Sequence, residues 1–156
     1  MKKFITPLFF LCSASAFSAE SQLLESALAC KLKDSQMAAL MRDLATQEPA
    51  FGKPTTQVGA PAADIYRLPG PVTALGYSSA EVVVTPGRIL LAVPGKPVSH
   101  AIGTLKLKEE AYSPATRIVR PTVSVVAFQL SHPALAGKLL VGCEYANGDS
   151  ARWVRQ

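Results

Sequence analysis

The sequence lacks the residue patterns that identify common catalytic and metal centres. It has only two histidines and three cysteines in 156 residues. There is no glycine-rich phosphate loop, no G-x-S-x-G nucleophile motif and no H-E-x-x-H zinc motif. His100 and His132 are not spaced from a cysteine as zinc ligands would be, and the adjacent Ser99 and His100 do not by themselves make a nucleophile and its base. We therefore predict a protein that is not an enzyme and that uses no metal and no cofactor.

Blocks of like charge are also lacking. The chain has 16 Lys and Arg residues against 11 Asp and Glu, a formal charge of +5, but its cations are scattered as isolated pairs such as Lys106/Lys108 and Arg117/Arg120. No basic stripe is interleaved with aromatic residues, as a nucleic-acid-binding surface would require. Hydrophobic residues make up 49% of the chain, which argues against a disordered tail. The composition predicts a folded domain that does not bind nucleic acid.

No hydrophobic run has the length of a transmembrane helix. Met1-Lys2-Lys3 precedes the stretch FITPLFFLCSASAF, whose apolar core of about ten residues is shorter than the roughly 20 that a spanning helix needs. A basic start, a short apolar core and small residues at 14–16 are the layout of a secretory signal peptide; a retained anchor is the alternative. We predict a signal peptide over residues 1–18, cleaved after one of residues 16–19, and a single domain over 19–156. The protein would then be periplasmic or secreted, with no stable membrane span.

Cysteine is scarce, and only Cys30 and Cys143 remain after the predicted cleavage. In an oxidising compartment an isolated pair of this kind most often forms a disulfide. The closed loop would exceed a hundred residues, for which the chain-entropy model gives about 4–5 kcal/mol of stabilisation. The alternatives are two free thiols or a metal site, and the latter would need further ligands. We predict a Cys30–Cys143 disulfide.

The apolar spacing indicates two amphipathic helices and several strands. Short β-branched segments are separated by Pro-Gly and Asn-Gly turns, and the last of them is ARWVRQ at the end of the chain. Strands joined by short turns imply an antiparallel sheet, and two amphipathic helices need a sheet face to cover. We predict an α+β fold with both helices on one face of an antiparallel sheet, and a weak tandem repeat of a helix followed by a hairpin. The helical stripes are Met37, Leu40, Met41 and Leu44 in the first helix and Val98, Ala101, Ile102 and Leu105 in the second.

This order of elements resembles, in outline, the helix-plus-hairpin layout of small bacterial envelope modules such as the beta-lactamase inhibitory protein superfamily. The likeness is one of layout, and no residue motif is shared. It implies a fold of that kind and carries little information on function.

Surface recognition is the class of function that remains. We predict a non-catalytic module that binds another envelope macromolecule as an inhibitor, an immunity protein or an assembly factor; the alternative is a small-molecule or lipid carrier with an apolar pocket between helices and sheet. Residues 47–63 show no regular pattern, so they form either a connector or a functional loop. Exposed aromatic and arginine side chains are enriched at the energetic centres of interfaces. The candidate binding residues are Trp153, Arg152, Arg155 and Phe51, with core packing as the alternative for Trp153.

Overall fold

The computed structural model describes residues 22–37 and 39–154 of the chain. The predicted signal peptide over residues 1–18 and Arg155 lie outside the described residues. The α-helices within the described residues are α1 (Gln22–Leu28), α2 (Asp34–Met37), α3 (Leu40–Gln47) and α4 (Val98–Leu105). The strands are β1 (Thr56–Gly59), β2 (Ala62–Ala74), β3 (Tyr77–Thr85), β4 (Arg88–Pro94), β5 (Ala115–Arg120), β6 (Val123–Phe128) and β7 (Lys138–Tyr145).

These seven strands form one sheet in the order β1-β2-β3-β4-β7-β6-β5. Every neighbouring pair is antiparallel, so the α+β fold predicted from the sequence is confirmed. β7 departs from chain order because it lies between β4 and β6. Helices precede strands twice, but four strands follow α3 and three follow α4. The two halves of the predicted repeat are therefore unequal.

The helices cover one face of the sheet. Leu24 of α1, Met37 of α2, Leu44 of α3 and Ala101 of α4 are all buried in one apolar core with side chains from the strands. The prediction of a single helix-covered face is thus correct. The predicted number of helices is corrected to four within the described residues, because the first apolar stripe is divided between α2 and α3. The helix α1 is additional, and it is rich in the good helix formers Leu, Glu and Ala.

The opposite face, called here the helix-free face, buries a smaller apolar cluster. It includes Leu90 of β4, Val126 of β6 and Leu140 of β7, and none of the described helices contributes to it. Leu135, from the segment that connects β6 to β7, is fully buried in this cluster and covers part of it. Since both faces are buried at the centre of the sheet, its open backbone lies at the two edge strands, β1 and β5.

A disulfide joins Cys30 to Cys143, as the cysteine count predicts. Cys143 lies in β7, where its neighbours across the sheet are Ile89 of β4 and Val125 of β6. Cys30 follows α1 directly, and both cysteines are buried in the core under the helices. The bridge therefore fastens the helical N-terminal segment to a central strand of the sheet.

The chain does not form the predicted final strand in its described part. After β7 the side chain Oδ1 of Asn147 accepts hydrogen bonds from the backbone N–H groups of Asp149 (3.1 Å) and Ser150 (2.8 Å). Side-chain oxygens that capture nearby N–H groups in this way compete with strand pairing. A 3-10 turn over Ser150–Arg152 follows, and it directs the chain back across the end of β7.

Tyr145, at the end of β7, is a buried tyrosine whose hydroxyl binds the backbone of α1. Its Oη donates to the carbonyl oxygen of Ala27 over 2.6 Å, and the residue has no exposed surface. Burial raises the pKa of Tyr145 above its ordinary value of about 10, because the charged phenolate would be desolvated, while the positive charge of Arg120 acts in the opposite direction. The folded protein therefore keeps the neutral phenol at a pH at which the unfolded chain has lost the proton.

We expect alkaline pH to destabilise the protein through Tyr145. Above pH ~10 the folded state binds one more proton at this residue than the unfolded state, so the free energy of unfolding falls by up to about 1.4 kcal/mol per pH unit until the folded-state pKa is reached. Tyr145→Phe should remove this slope and cost about 1 kcal/mol at neutral pH through the lost hydrogen bond. Urea unfolding between pH 7 and 11 measures both effects. Tyr112→Phe, at a fully exposed tyrosine, is the control, and equal alkaline slopes in both variants would refute the assignment.

Candidate functional site

The structure buries both aromatic residues that the sequence proposed for the binding surface. Trp153 is 4% exposed and packs edge-on against Tyr145, with 5.4 Å between ring centroids. Trp153 is therefore not the exposed binding residue proposed from the sequence, because a 3-10 turn precedes it where a final strand was expected. Core packing, the alternative for this residue, is what the structure has. Arg152 is exposed beside it.

Phe51 is also a core residue. Its ring stacks on that of Tyr66 with 4.2 Å between centroids and an interplanar angle of 1°, and it has no exposed surface. Residues 47–63, predicted as an irregular connector or a functional loop, contain a 3-10 turn over Pro49–Gly52 and the strand β1. Phe51 therefore fastens this segment to the sheet, and the expectation that it is free for a contact is corrected.

Exposed apolar side chains are found at another place in the fold. Among the described residues the exposed large hydrophobic side chains are Tyr112, which is fully exposed, Ile118 at 75% and Val119 at 46%. All three lie within eight residues of chain, in β5 and the loop before it. Ile118 and Val119 are adjacent in β5, and exposed apolar groups that adjoin each other are typical of interaction sites. We call residues 106–120 the β5 edge and treat it as the candidate functional site.

The backbone of β5 is open along part of its outer side. The N–H of Lys108 donates to the carbonyl of Thr116 and the N–H of Thr116 donates to the carbonyl of Lys108, both over 2.8 Å. Outward-facing backbone groups alternate along an antiparallel strand, so the N–H and C=O of Ile118 also point away from β6. The segment before Lys108 does not pair with these two groups of Ile118. Lys106, which ends α4, has a left-handed backbone (φ 54°) and therefore does not continue the pairing. Within the described residues, pairing on this side of β5 therefore stops at Thr116.

Two arginines are held along the same edge by backbone carbonyls. Nε of Arg117 donates to the carbonyl of Leu105 at the end of α4 over 2.9 Å. Arg120 donates through Nη2 to the carbonyl of Leu32. A bulge between Ile118 and Arg120 bends the strand. Charges and bulges are devices that protect sheet edges from unwanted pairing, and here they leave only a short apolar stretch open.

The electrostatic environment of the β5 edge is positive. No Asp or Glu occurs between residues 111 and 143, a stretch that includes all of β5 and β6. Lys106, Lys108 and Arg117 are exposed and form no ion pair within the described part of the chain. Within residues 106–120 there are four cations, Lys106, Lys108, Arg117 and Arg120, and two anions, Glu109 and Glu110. The edge thus combines exposed apolar side chains with a net positive charge.

A groove of about 550 Å³ adjoins the start of β5. It is lined by Val98 of α4, by Phe128 at the end of β6 and by the loop that carries Tyr112. Tyr112 has a left-handed backbone (φ 64°), which is uncommon for a bulky aromatic residue. The groove and Tyr112 extend the accessible surface beyond the Lys108–Thr116 bridge, on the side away from Ile118.

The chain was compared with protein-family models, curated proteins and solved structures. None of them matches it. The assignment of the β5 edge as a functional site therefore depends on its exposure, hydrogen bonding and charge.

The histidines take part in local contacts. His100 is exposed, and its Nδ1 lies 2.8 Å from the hydroxyl of Tyr77, whose ring it also contacts edge-on. Nδ1 of His132 accepts the N–H of Ala134 over 3.2 Å. Among the described residues there is no group of three or more His, Cys, Asp or Glu side chains that could hold a metal ion. In the same part of the chain, no helix is long and apolar enough to cross a membrane.

The layer between the helices and the sheet is the place where a carrier would need its pocket. Large side chains fill it, and those with less than 2% exposure include Leu24, Leu28, Leu40, Tyr66 and Tyr145. Protein interiors packed in this way leave few voids larger than a water molecule. The carrier function stays a prediction, which native mass spectrometry for a co-purified ligand would test.

Proposed function

We propose that the protein is an exported, non-catalytic binding module of the bacterial envelope. It binds another envelope macromolecule through the β5 edge, as an inhibitor, an immunity protein or an assembly factor. The observation that carries the proposal is the exposure of Ile118 and Val119 on an edge strand whose outward backbone groups have no neighbouring strand. The other edge strand offers no such surface, because the exposed residues of β1 are Thr56, Gln57 and Gly59.

Export to the periplasm or beyond it is the second part of the proposal. It is supported by the Cys30–Cys143 disulfide, since structural disulfides persist in oxidising compartments and are rare in the cytosol. The signal-peptide layout of residues 1–18 agrees with this location. A module that works there would bind components of the envelope.

A protein partner fits the geometry of the β5 edge. An exposed strand edge binds an extended segment through main-chain hydrogen bonds, while flanking side chains provide selectivity. The outward N–H and C=O of Ile118 supply the hydrogen-bonding groups. The side chains of Ile118 and Val119 supply apolar contact area. Arg117, the residue before Ile118 in β5, supplies a positive charge.

We expect site-specific cross-linking to capture a partner at β5. Ile118 would be replaced by the photoreactive residue p-benzoylphenylalanine in the exported protein, and cells would be irradiated before extraction. The expected result is a discrete adduct whose second component is identified by mass spectrometry and then purified. The matched control is the same replacement at Lys53, an exposed residue after the turn at Pro49–Gly52, which should give no such adduct.

The proposal is then tested by measuring how tightly the purified partner binds the parent protein and a variant of the β5 edge. Val119→Asp places a charge on the exposed apolar stretch and should weaken binding by at least about tenfold, the effect of losing a central apolar contact of 1–2 kcal/mol. Equal adducts at positions 118 and 53, or unchanged binding by Val119→Asp, would contradict a function at the β5 edge.

A further inference from the structure

The side chains of β5 point to different faces of the sheet in alternation. Ile118 pairs with Ser124, and Arg117 pairs with Val125, a residue of the core under the helices. Ile118 therefore lies on the helix-free face and Arg117 on the helix-covered face. In a strand added beside β5, the residue opposite Ile118 would share its face, and the next residue would lie beside Arg117.

The positive charge of the β5 edge indicates that an added strand should carry acidic side chains. Nε of Arg117 is bonded to the carbonyl of Leu105, and its two terminal amino groups have no partner among the described residues. A carboxylate opposite Arg117 would form a charge-assisted hydrogen bond. An apolar residue opposite Ile118 would cover its exposed side chain. Since Lys106 and Lys108 are also cations, a basic segment would be repelled at the same position.

A second copy of this chain does not fit the edge. Antiparallel pairing of two β5 strands about Ile118 would place Arg120 of one copy opposite Thr116 of the other. The outward N–H and C=O of Thr116 are already bonded to Lys108. Such a dimer would also bring together two edges that each carry Arg117 and Arg120. The occupant is therefore a different, negatively charged chain.

We infer that the binding partner supplies an extended segment of alternating apolar and acidic residues that adds to the sheet beside Ile118. The inference rests on the proposed function and specifies the chemistry of its partner. Two main-chain hydrogen bonds form at Ile118, a side chain of the segment packs on Ile118, and the adjacent carboxylate binds Arg117. Because the chain leaves the edge at Lys106 and the bulge follows at Val119, the added strand is short.

The test uses two labelled eight-residue peptides, one alternating Val and Glu and one alternating Val and Lys, titrated against the purified protein by fluorescence anisotropy. We expect the Val–Glu peptide to bind at least about tenfold more tightly than the Val–Lys peptide, since its carboxylates can accept a charge-assisted hydrogen bond from Arg117 and the ammonium groups of the Val–Lys peptide cannot. Added salt should weaken its binding. Arg117→Glu should reverse the preference between the two peptides.

Ile118→Pro tests the backbone contact separately from charge. Proline removes the outward N–H of residue 118, and proline is accepted on edge strands where that N–H faces solvent. The Val–Glu peptide should bind this variant at least about tenfold more weakly, whereas Lys53→Glu, at an exposed lysine far along the chain, should bind as the parent does. Circular dichroism and thermal unfolding establish that each variant is folded.

The possible results of these experiments distinguish a failure of this inference from a failure of the proposed function. No saturable binding of the Val–Glu peptide, equal binding of both peptides, or full binding by Ile118→Pro would overturn the acidic added strand. If cross-linking at position 118 still yields a partner that depends on Val119, the binding function stands while the inference fails. If cross-linking fails, the proposed function fails with it.

Discussion

Replacing Cys30 and Cys143 together by alanine is expected to lower the free energy of unfolding by about 2–5 kcal/mol, the range for native disulfides in small secreted domains. The two cysteines are 113 residues apart in sequence. In the chain-entropy model, opening so long a loop frees many conformations of the unfolded chain. In the folded state, the same substitution removes the covalent link between the segment after α1 and β7.

Urea unfolding with and without a thiol reductant measures this effect. Reductant should shift the midpoint of the parent protein to lower urea and leave the double alanine variant unchanged. The variant without reductant and the reduced parent should unfold at similar urea concentrations. A parent protein that is unaffected by full reduction would contradict the stabilising role of the bridge.

Alanine at position 142 is expected to cost about 3 kcal/mol or more, the upper part of the range for overpacked sites. Gly142 lies in β7 opposite Leu90 of β4. A Cβ atom there would be 2.3 Å from the carbonyl oxygen of Ile89 and 2.8 Å from Cα of Leu90. Both are backbone atoms of the neighbouring strand, so the clash requires β4 and β7 to separate.

Gly103→Ala is the matched control for this substitution. Gly103 lies inside α4, where an added Cβ would meet nothing within 4 Å. Alanine in a helix interior stabilises by about 0.5–1 kcal/mol relative to glycine. Urea unfolding should therefore show opposite signs for the two glycine-to-alanine changes, and a similar small effect for both would refute the close approach at β4.

Much of the fold could be predicted because it depends on local pattern and on composition. Short turns between apolar segments indicate an antiparallel sheet, and helical spacing of apolar residues indicates the layer above it. The two cysteines that remain after the predicted signal-peptide cleavage were enough to predict the disulfide. The burial of Trp153 was not predictable in this way, because it depends on Asn147 capturing the N–H groups of Asp149 and Ser150.

The candidate site could be predicted only in part. Residues 117–120 are recognisable as part of a strand, and two apolar residues between two arginines are a signal for an exposed strand. Its position at the edge follows from the insertion of β7 between β4 and β6, which is a long-range property that spacing does not encode. The same limit applies to Lys108, whose bridge to Thr116 sets how much of the edge stays open.

The placement of β7 has a consequence for how the protein matures. It is the last of the described strands in chain order, yet it joins β4 on one side and β6 on the other. Without β7, the strands that would emerge first in the proposed export, β1–β4 and β5–β6, have no strand pairing with each other. Cys30 likewise emerges well before the partner it needs. Assembly of the sheet and closure of the disulfide therefore both require the same segment, β7, so neither can be completed before it has emerged.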